Sequence, residues 1–248
     1  MLSKTFTYQA PGLAAAAAVL ALALLAGCAV EPQRLSLRDA GSKDADALVT
    51  FRPEAWARRG GAGPARGFEA GWQQFKAEGT QVLGTGETLN VRGATLTGPD
   101  LLLQNAKVVA SHFGFADRFY FGPAFEFDVA VGGMRLEVDY RLRPQSGATG
   151  TQPFARADTL PYGAITPRWR FNSFVALEAR IATAGLTDNN THRKYDGALV
   201  LSPVPQVSLR LGYSSRRTRV LAYNNSVFSS LDLTIRGNGP MAGLRIDF

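Results

Sequence analysis

Apolar and polar residues alternate along much of this chain, and this alternation restricts its fold more than any other feature. In residues 119–131 the odd positions are almost all Phe or Val, whereas the even positions include Glu126 and Asp128. The same pattern recurs at 174–183, 206–214 and 244–248. A period of two places one set of side chains on each face of a β-strand. The sequence therefore predicts an all-β protein whose strands each have one apolar and one polar face.

The polar faces indicate an enclosed interior, because they combine acids with arginine and contain almost no lysine. Planar guanidinium groups pair well with carboxylates in a narrow space. A soluble sheet would bury its apolar faces, whereas a transmembrane barrel turns them towards lipid and encloses the polar ones. The candidate lumen charge network consists of Glu126, Asp128, Glu178, Arg180, Arg210, Asp232, Arg236, Arg245 and Asp247.

The connections between the predicted strands favour the membrane barrel. Short turns are predicted at 116–117, 170–173 and 203–205, and aromatic residues flank the first two as in an interfacial girdle. The predicted long, polar connections include 143–153, 185–194 and 215–226. Outer-membrane barrels combine short periplasmic turns with longer outer loops. We therefore predict an antiparallel transmembrane β-barrel over residues 67–248.

The expected number of strands is eight, with ten as the alternative. Val129 and Val131 occupy odd positions, but the apolar residues after Gly132-Gly133 occupy even positions, and a similar shift falls at 237–239. Each shift is either a β-bulge or a hairpin turn. If both shifts were turns, the barrel would have ten strands, and the long connections would lie in the periplasm with the short turns outside. This is the reverse of the usual arrangement, so bulges are preferred. Lys107 has the parity of the outward phenylalanines after it, which predicts another irregularity there.

The start of the chain indicates export. Lys4 precedes an apolar stretch over 13–27 that is too short for a membrane helix of about 20 residues, so residues 1–27 are predicted to be a signal peptide. Leu25-Ala26-Gly27-Cys28 resembles the lipobox of bacterial lipoproteins. This resemblance implies cleavage before Cys28, lipid attachment to Cys28 and, with Ala29 next, transfer to the Gram-negative outer membrane.

Both ends of the predicted barrel are expected on the periplasmic side, because an even number of strands returns the chain to where it started. Residues 28–66 are polar and without periodicity, so we expect a lipidated N-terminus and flexible tether, anchored on the periplasmic side. At the other end, Leu244, Ile246 and the terminal Phe248 resemble the signature strand read by the outer-membrane assembly machinery.

Charge indicates contact with membrane lipid rather than nucleic acid. The chain has 27 basic and 20 acidic residues, and removal of Lys4 with the signal peptide leaves an excess of six basic residues. A basic excess on an exported lipoprotein suits anionic lipid head groups. Arg216, Arg217 and Arg219 are predicted to lie in one outer loop, where they could bind lipopolysaccharide phosphates.

Catalysis is not expected. His112 follows Ser111 and is predicted to point into the barrel near its periplasmic end, and His192 is predicted to be a solvated loop residue. No local triad motif, metal-ligand spacing or cofactor motif occurs. The main expectation is a structural or surface-interaction role in the envelope. The alternatives are a lipid A-modifying enzyme, either acyltransferase or deacylase, and a narrow channel.

Overall fold

A computed structural model describes residues 33–39, 44–52, 65–91, 94–147, 153–185, 190–223 and 230–248. Every regular element in these ranges is a β-strand, so the prediction of an all-β protein is confirmed. The strands are β1 (Gln33–Asp39), β2 (Asp44–Phe51), β3 (Ala65–Leu83), β4 (Thr88–Val91), β5 (Ala94–Thr97), β6 (Asp100–Phe121), β7 (Phe125–Pro144), β8 (Phe154–Arg170), β9 (Val175–Ala184), β10 (Asn190–Val204), β11 (Val207–Tyr223) and β12 (Ser230–Asp247). Within these ranges, no helix has the length and hydrophobicity needed to cross a bilayer.

The main sheet closes into a ring. Strand β3 and strands β6 to β12 are antiparallel neighbours in sequence order, as the eight predicted strands should be. Strand β2 lies between β3 and β12, antiparallel to the first and parallel to the second, and so closes the ring. Strand β1 also runs parallel to β12. The sheet is therefore mixed, and the expectation of a purely antiparallel arrangement is wrong. Strands β4 and β5 form a separate hairpin.

The two ends of the ring differ in their connections. At one end, the turn end, the connections include the short segments 122–124, 171–174 and 205–206, β2 ends there at Phe51, and β12 ends there just before Phe248. We call the opposite end the loop end. The turns predicted at 170–173 and 203–205 overlap the observed connections. The turn predicted at 116–117 is wrong, because these residues lie within β6 and the chain turns only at Gly122, whose φ is +71°.

Part of the predicted tether belongs to the sheet. Strands β1 and β2 lie within 28–66, and Leu35, Leu37 and Leu48 point into the ring and are buried. The expectation of a flexible tether therefore does not hold for these two strands. Gln33 lies opposite Leu231, at the loop end of β12, so the described chain enters the ring at the end opposite to Phe248. Both ends of the predicted barrel, Gly67 and Phe248, lie at the turn end as expected. However, β1 and β2 precede this barrel in the sheet, so the premise that the tether joins the sheet at the turn end is wrong.

The predicted bulges are replaced by an exchange of polarity between the two faces of the sheet. The pairing of β7 with β6 and β8 continues through Gly132 and Gly133 without a shift in register, and even positions point inwards on both sides of them. Pairing of β11 with β12 is equally continuous through 237–239. Lys107 is exposed on the outer face of β6 without any irregularity. The same parity of residues points inwards along the whole strand. What changes is that the inward residues are charged in one half of the ring and apolar in the other.

This exchange divides the ring into two halves. In the turn-end half, large apolar side chains lie exposed on the outer face. These residues, which we call the apolar belt, include Phe113, Phe115, Phe121, Val131, Trp169, Leu177, Ile181, Leu199, Leu209, Leu211 and Leu244. In the loop-end half the interior is an apolar core that includes Leu35, Leu37, Phe75, Leu102, Val108, Met134, Leu136, Val138, Tyr140, Leu142, Leu233 and Ile235. The outer face there is mostly polar, with Val82 and Leu103 among its exposed apolar residues.

The C-terminal residues follow the same alternation. Leu244 and Phe248 are exposed on the outer face, and Ile246 lies half-buried between them. The amide of Phe248 donates to the carbonyl of Thr50 at 2.9 Å, and its own carbonyl accepts from the amide of Arg52. The last residue is therefore held in the seam between β12 and β2.

The exchange of polarity predicts unequal costs for truncation on either side of Gly132-Gly133. Leu136 is 1% exposed in the core and Val131 is 57% exposed in the belt. Leu136→Ala should lower the free energy of unfolding by about 2–5 kcal/mol, because it leaves a cavity. Val131→Ala should cost less than about 1 kcal/mol. Urea titration of the refolded protein in detergent micelles measures both, and equal costs would restore the predicted bulge.

Candidate functional site

Charged side chains fill the interior of the turn-end half, and we call this group the interior network. Its carboxylates are Asp46, Glu69, Glu126, Asp128, Glu178, Asp196 and Asp247. Its cationic groups are Arg52, Arg118, Arg168, Arg170, Arg180, Lys194, Arg210, Arg216 and Arg245. The two-residue period explains the arrangement, because the network residues within the strands alternate with residues of the outer face. Charges enclosed in this way must be paired or hydrated.

Glu178 is the centre of the network. One of its carboxylate oxygens accepts from Arg210 Nε at 2.8 Å. The other accepts from Arg168 Nε at 3.0 Å and from Arg245 Nη1 at 3.2 Å. The Glu178 side chain itself is fully buried. Since the three arginines come from β8, β11 and β12, this one carboxylate joins strands on different sides of the ring.

Arg245 extends the network across the ring towards β7. Its guanidinium binds Asp128 at 3.0 Å as well as Glu178, and it also pairs with Asp247 on its own strand. Asp128 is held in addition by both arms of Arg118, at 2.7 and 2.9 Å. Strands β7 and β12 are not neighbours in the sheet, so these bonds cross the interior rather than follow its wall.

The closing strand β2 is attached to the network through Asp46. This carboxylate accepts from Lys194 Nζ and from Arg210 Nη1, each at 2.8 Å. Lys194 also lies 3.0 Å from Asp196, which accepts a hydrogen bond from Ser214 at 2.6 Å. The parallel strand is therefore bound to β10 and β11, which are not its neighbours in the sheet.

His112 lies between the charged and apolar parts of the interior. Its Nε2 is 3.2 Å from a Glu69 oxygen, its ring stacks on Tyr162 at 4.4 Å, and Arg180 binds both Glu69 and Tyr162. Gly71 leaves room for the imidazole, because a Cβ there would lie 2.2 Å from it. His112 points inwards as predicted but sits midway along the ring, opposite Met134, instead of near the turn end.

The other histidine contradicts its predicted place. His192 lies in β10, is 0% exposed, and contacts Gln73 at 2.8 Å and Thr218 at 2.9 Å. It is therefore a hydrogen-bonded interior residue and not a solvated loop residue. The period of two continues through it, with Arg193 and Tyr195 exposed on the outer face, and this signal could have placed it in a strand.

Of the predicted charge network, seven residues face the interior and two do not. The seven are Glu126, Asp128, Glu178, Arg180, Arg210, Arg245 and Asp247. Arg236 is exposed on the outer face, and Asp232 pairs with Arg219 at 2.8 Å. Both were placed inside on the assumption of a bulge at 237–239. Without the bulge, their parity is that of the outward Leu244.

Sequence reasoning did not assign several network residues. Arg118 and Arg168 each precede an aromatic residue of the outer face, so parity alone would have placed both inside. Glu69 lies in a stretch where Gly and Gln weaken the alternation. Asp46 and Arg52 lie in the predicted tether, and nothing local links them to partners far along the chain. Cys28 lies outside the described residues.

Cavities within the network are unequal in size. One of about 1140 Å³ opens at the turn end and is lined by Arg52, Arg118, Glu126, Arg170 and Asp247 among others. Another, of about 10 Å³, lies beside His112 and is about the size of one water molecule. Within the described ranges, no group of three or more His, Cys, Asp or Glu is placed to hold a metal ion.

No protein-family model, no curated protein and no solved structure matches this chain.

The central position of Glu178 predicts a large cost for its removal. Glu178→Ala would leave three buried guanidinium groups short of a partner, so it should cost about 3–5 kcal/mol of unfolding free energy. Glu137→Ala is the matched control, because its ion pair with Arg135 at 2.7 Å is exposed, and such pairs contribute about 0–1 kcal/mol. Urea titration in micelles compares them. Similar midpoints for both variants would show that the network does not stabilise the fold.

Proposed function

We propose that this protein is an outer-membrane β-barrel lipoprotein with a structural or surface-interaction role in the Gram-negative envelope. In this proposal the turn-end half spans the bilayer and the loop-end half projects from it at the cell surface. The observation that carries the proposal is the apolar belt outside an interior of ion pairs. Lipid attachment to Cys28 and recognition of Leu244, Ile246 and Phe248 by the assembly machinery belong to the same proposal.

The belt has a height that suits a membrane. On β11 the outward residues from Val207 to Tyr213 are apolar or aromatic, Ser215 is polar, and the first outward charge is Arg217, ten positions after Val207. Ten residues span about 33 Å along a strand, so the uncharged outer surface is about 25 Å high along the axis of a ring whose strands tilt by about 40°. An apolar band of about 25 Å is characteristic of outer-membrane barrels. A belt of this size facing water would be unusual for a soluble monomer.

A closed interior supports a structural role over a channel. Arg118 and Arg245 both bind Asp128, and Arg245 also binds Glu178, so these ion pairs cross the ring. Their side chains occupy the space through which ions would pass. Such a paired network makes the turn-end half rigid. The turn-end cavity is a mouth that ends at these same ion pairs.

The lipid A-modifying alternative is less well supported. A barrel enzyme acting on lipid needs its nucleophile and base at the lipid-facing surface, and the most plausible base here points the other way. His112 faces the interior, and Ser111, next to it, is exposed on the outer face. The two side chains therefore lie on opposite sides of the sheet, and the Glu69–His112–Tyr162 group is enclosed.

Membrane insertion and closure can be tested together. The full-length protein should partition with outer membranes, migrate differently on gels before and after boiling, and show no conductance steps in planar bilayers. The variant R118A/E178A/R245A removes the side chains that cross the ring and should conduct, provided that its heat-dependent migration is retained. Recovery of the wild type in the soluble fraction would contradict the membrane proposal. Conductance of the wild type equal to that of the variant would contradict the closed interior.

The orientation of β1 indicates from which side of the membrane the N-terminal part of the chain enters the sheet. Gln33 lies at the loop end, five positions after Cys28 in sequence, so the premise behind a periplasmic anchor fails, and we propose that the chain enters the sheet from the cell surface. An epitope inserted directly before Gln33 should be detected by antibody on intact cells. The control is the same epitope after Asn172 in a short turn, which should be detected only after permeabilisation. The reverse pattern would contradict this orientation.

A further inference from the structure

Four arginines form one row across four neighbouring strands of the outer face. The register places Arg38 of β1 opposite Arg236 of β12, Arg236 opposite Arg217 of β11, and Arg217 opposite Arg193 of β10. All four are exposed. Neighbouring strands lie about 4.8 Å apart, so the row extends over about 14 Å. We call these residues the arginine row.

The arginine row lacks compensating acids in the part of the chain that the structure describes. No carboxylate there lies within 4 Å of any of its four guanidinium groups. Two other outward arginines are paired, since Arg219 binds Asp232 at 2.8 Å and Arg135 binds Glu137 at 2.7 Å. Like charges directly opposite each other on a sheet are destabilising. A row of four such charges is therefore a surface suited to an anionic ligand.

The row lies at the loop-end edge of the apolar belt. Tyr195, the next outward residue after Arg193 towards the turn end, is exposed, and Tyr213 lies two outward positions from Arg217. Ser215 and Asn238 lie between the arginines and the belt and bond each other at 2.7 Å. Tyrosine is common where hydrocarbon meets head groups. In the proposed orientation, the arginine row is therefore level with the head groups of the outer leaflet.

The row occupies one sector of the ring and does not encircle it. Followed through the pairing register, the row continues with Thr183 of β9, Gly163 of β8, Val131 of β7 and Phe115 of β6, none of which is charged. A general attraction to an anionic surface would be served by charges all around the ring. Concentration of four unpaired arginines on adjacent strands instead suits one ligand molecule carrying more than one phosphate.

We propose that the arginine row binds the phosphate groups of lipopolysaccharide in the outer leaflet. Guanidinium groups bind phosphate oxygens in a bidentate manner, and a row of them accommodates two phosphates on one head group. The proposal depends on the membrane orientation given above. It also replaces the predicted cluster of Arg216, Arg217 and Arg219, because Arg216 is 2% exposed and faces the interior and Arg219 is paired with Asp232.

The test is binding of purified, bisphosphorylated lipid A to the folded, full-length protein in neutral detergent micelles. The variant R193Q/R217Q/R236Q should bind at least about tenfold more weakly than the wild type, because it removes three of the four charged donors to the phosphates. The matched control is R135Q/R141Q/R143Q, which removes three outward arginines from β7 and should bind as the wild type does. Heat-dependent gel migration verifies that each protein is folded.

Further arms separate the possible outcomes. Dephosphorylated lipid A should bind the wild type weakly, and inorganic phosphate or phosphatidylglycerol should not compete at equal concentration. Equal losses in both triple variants, or effective competition by phosphatidylglycerol, would overturn the proposal in favour of general charge attraction. Flotation of the wild type with phosphatidylcholine vesicles is measured separately. Flotation without lipid A binding refutes the arginine row alone, whereas failure to float refutes the membrane proposal.

Discussion

Pairing of enclosed guanidinium and carboxylate groups across the ring is the interaction on which the structure depends. An unpaired charge in so narrow an interior costs several kcal/mol, so every strand must present its charges at the height where partners from other strands arrive. Glu178 receives arginines from three strands, and Asp128 is bound from both β6 and β12. The network therefore fixes the relative register of strands that share no backbone hydrogen bonds. It also determines that β2 completes the ring, because Asp46 supplies a carboxylate to Lys194 and Arg210.

The same strands are used in two different ways along their length. In the turn-end half the charges are inside and the apolar side chains outside, whereas in the loop-end half Leu136 and Ile235 are part of a core and the charges face outwards. In a sheet that continues through both regions, the same parity of residues points inwards throughout. The apolar residues must therefore change from odd to even positions, or the reverse, where the two regions meet. In the proposed orientation this gives a rigid anchor in the bilayer and a solvated extension above it. The arginine row lies where these two regions meet.

Much of the fold could be predicted from the sequence, and the errors share one cause. Alternation locates strands and shows which residues share a face, but it does not show which face is enclosed. At Gly132-Gly133 a slipped phase and an exchange of environment produce the same residue pattern. Choosing the bulge placed Asp232 and Arg236 inside, although seven other network residues were assigned to the correct face. For His192, neighbouring polar residues suggested a loop, yet its hydrogen bonds with Gln73 and Thr218 make its burial possible.

By itself, the sequence determined that the chain forms long strands with two chemically distinct faces, because a period of two has only one regular backbone solution. It also determined the approximate positions of two short turns and the identity of seven of the interior charges. Only the tertiary structure decided how the ring closes, since the parallel pairing of β2 with β12 joins Asp46 to residues more than a hundred positions away. It alone decided that Arg38, Arg193, Arg217 and Arg236 form one row, because cross-strand register depends on every strand between them.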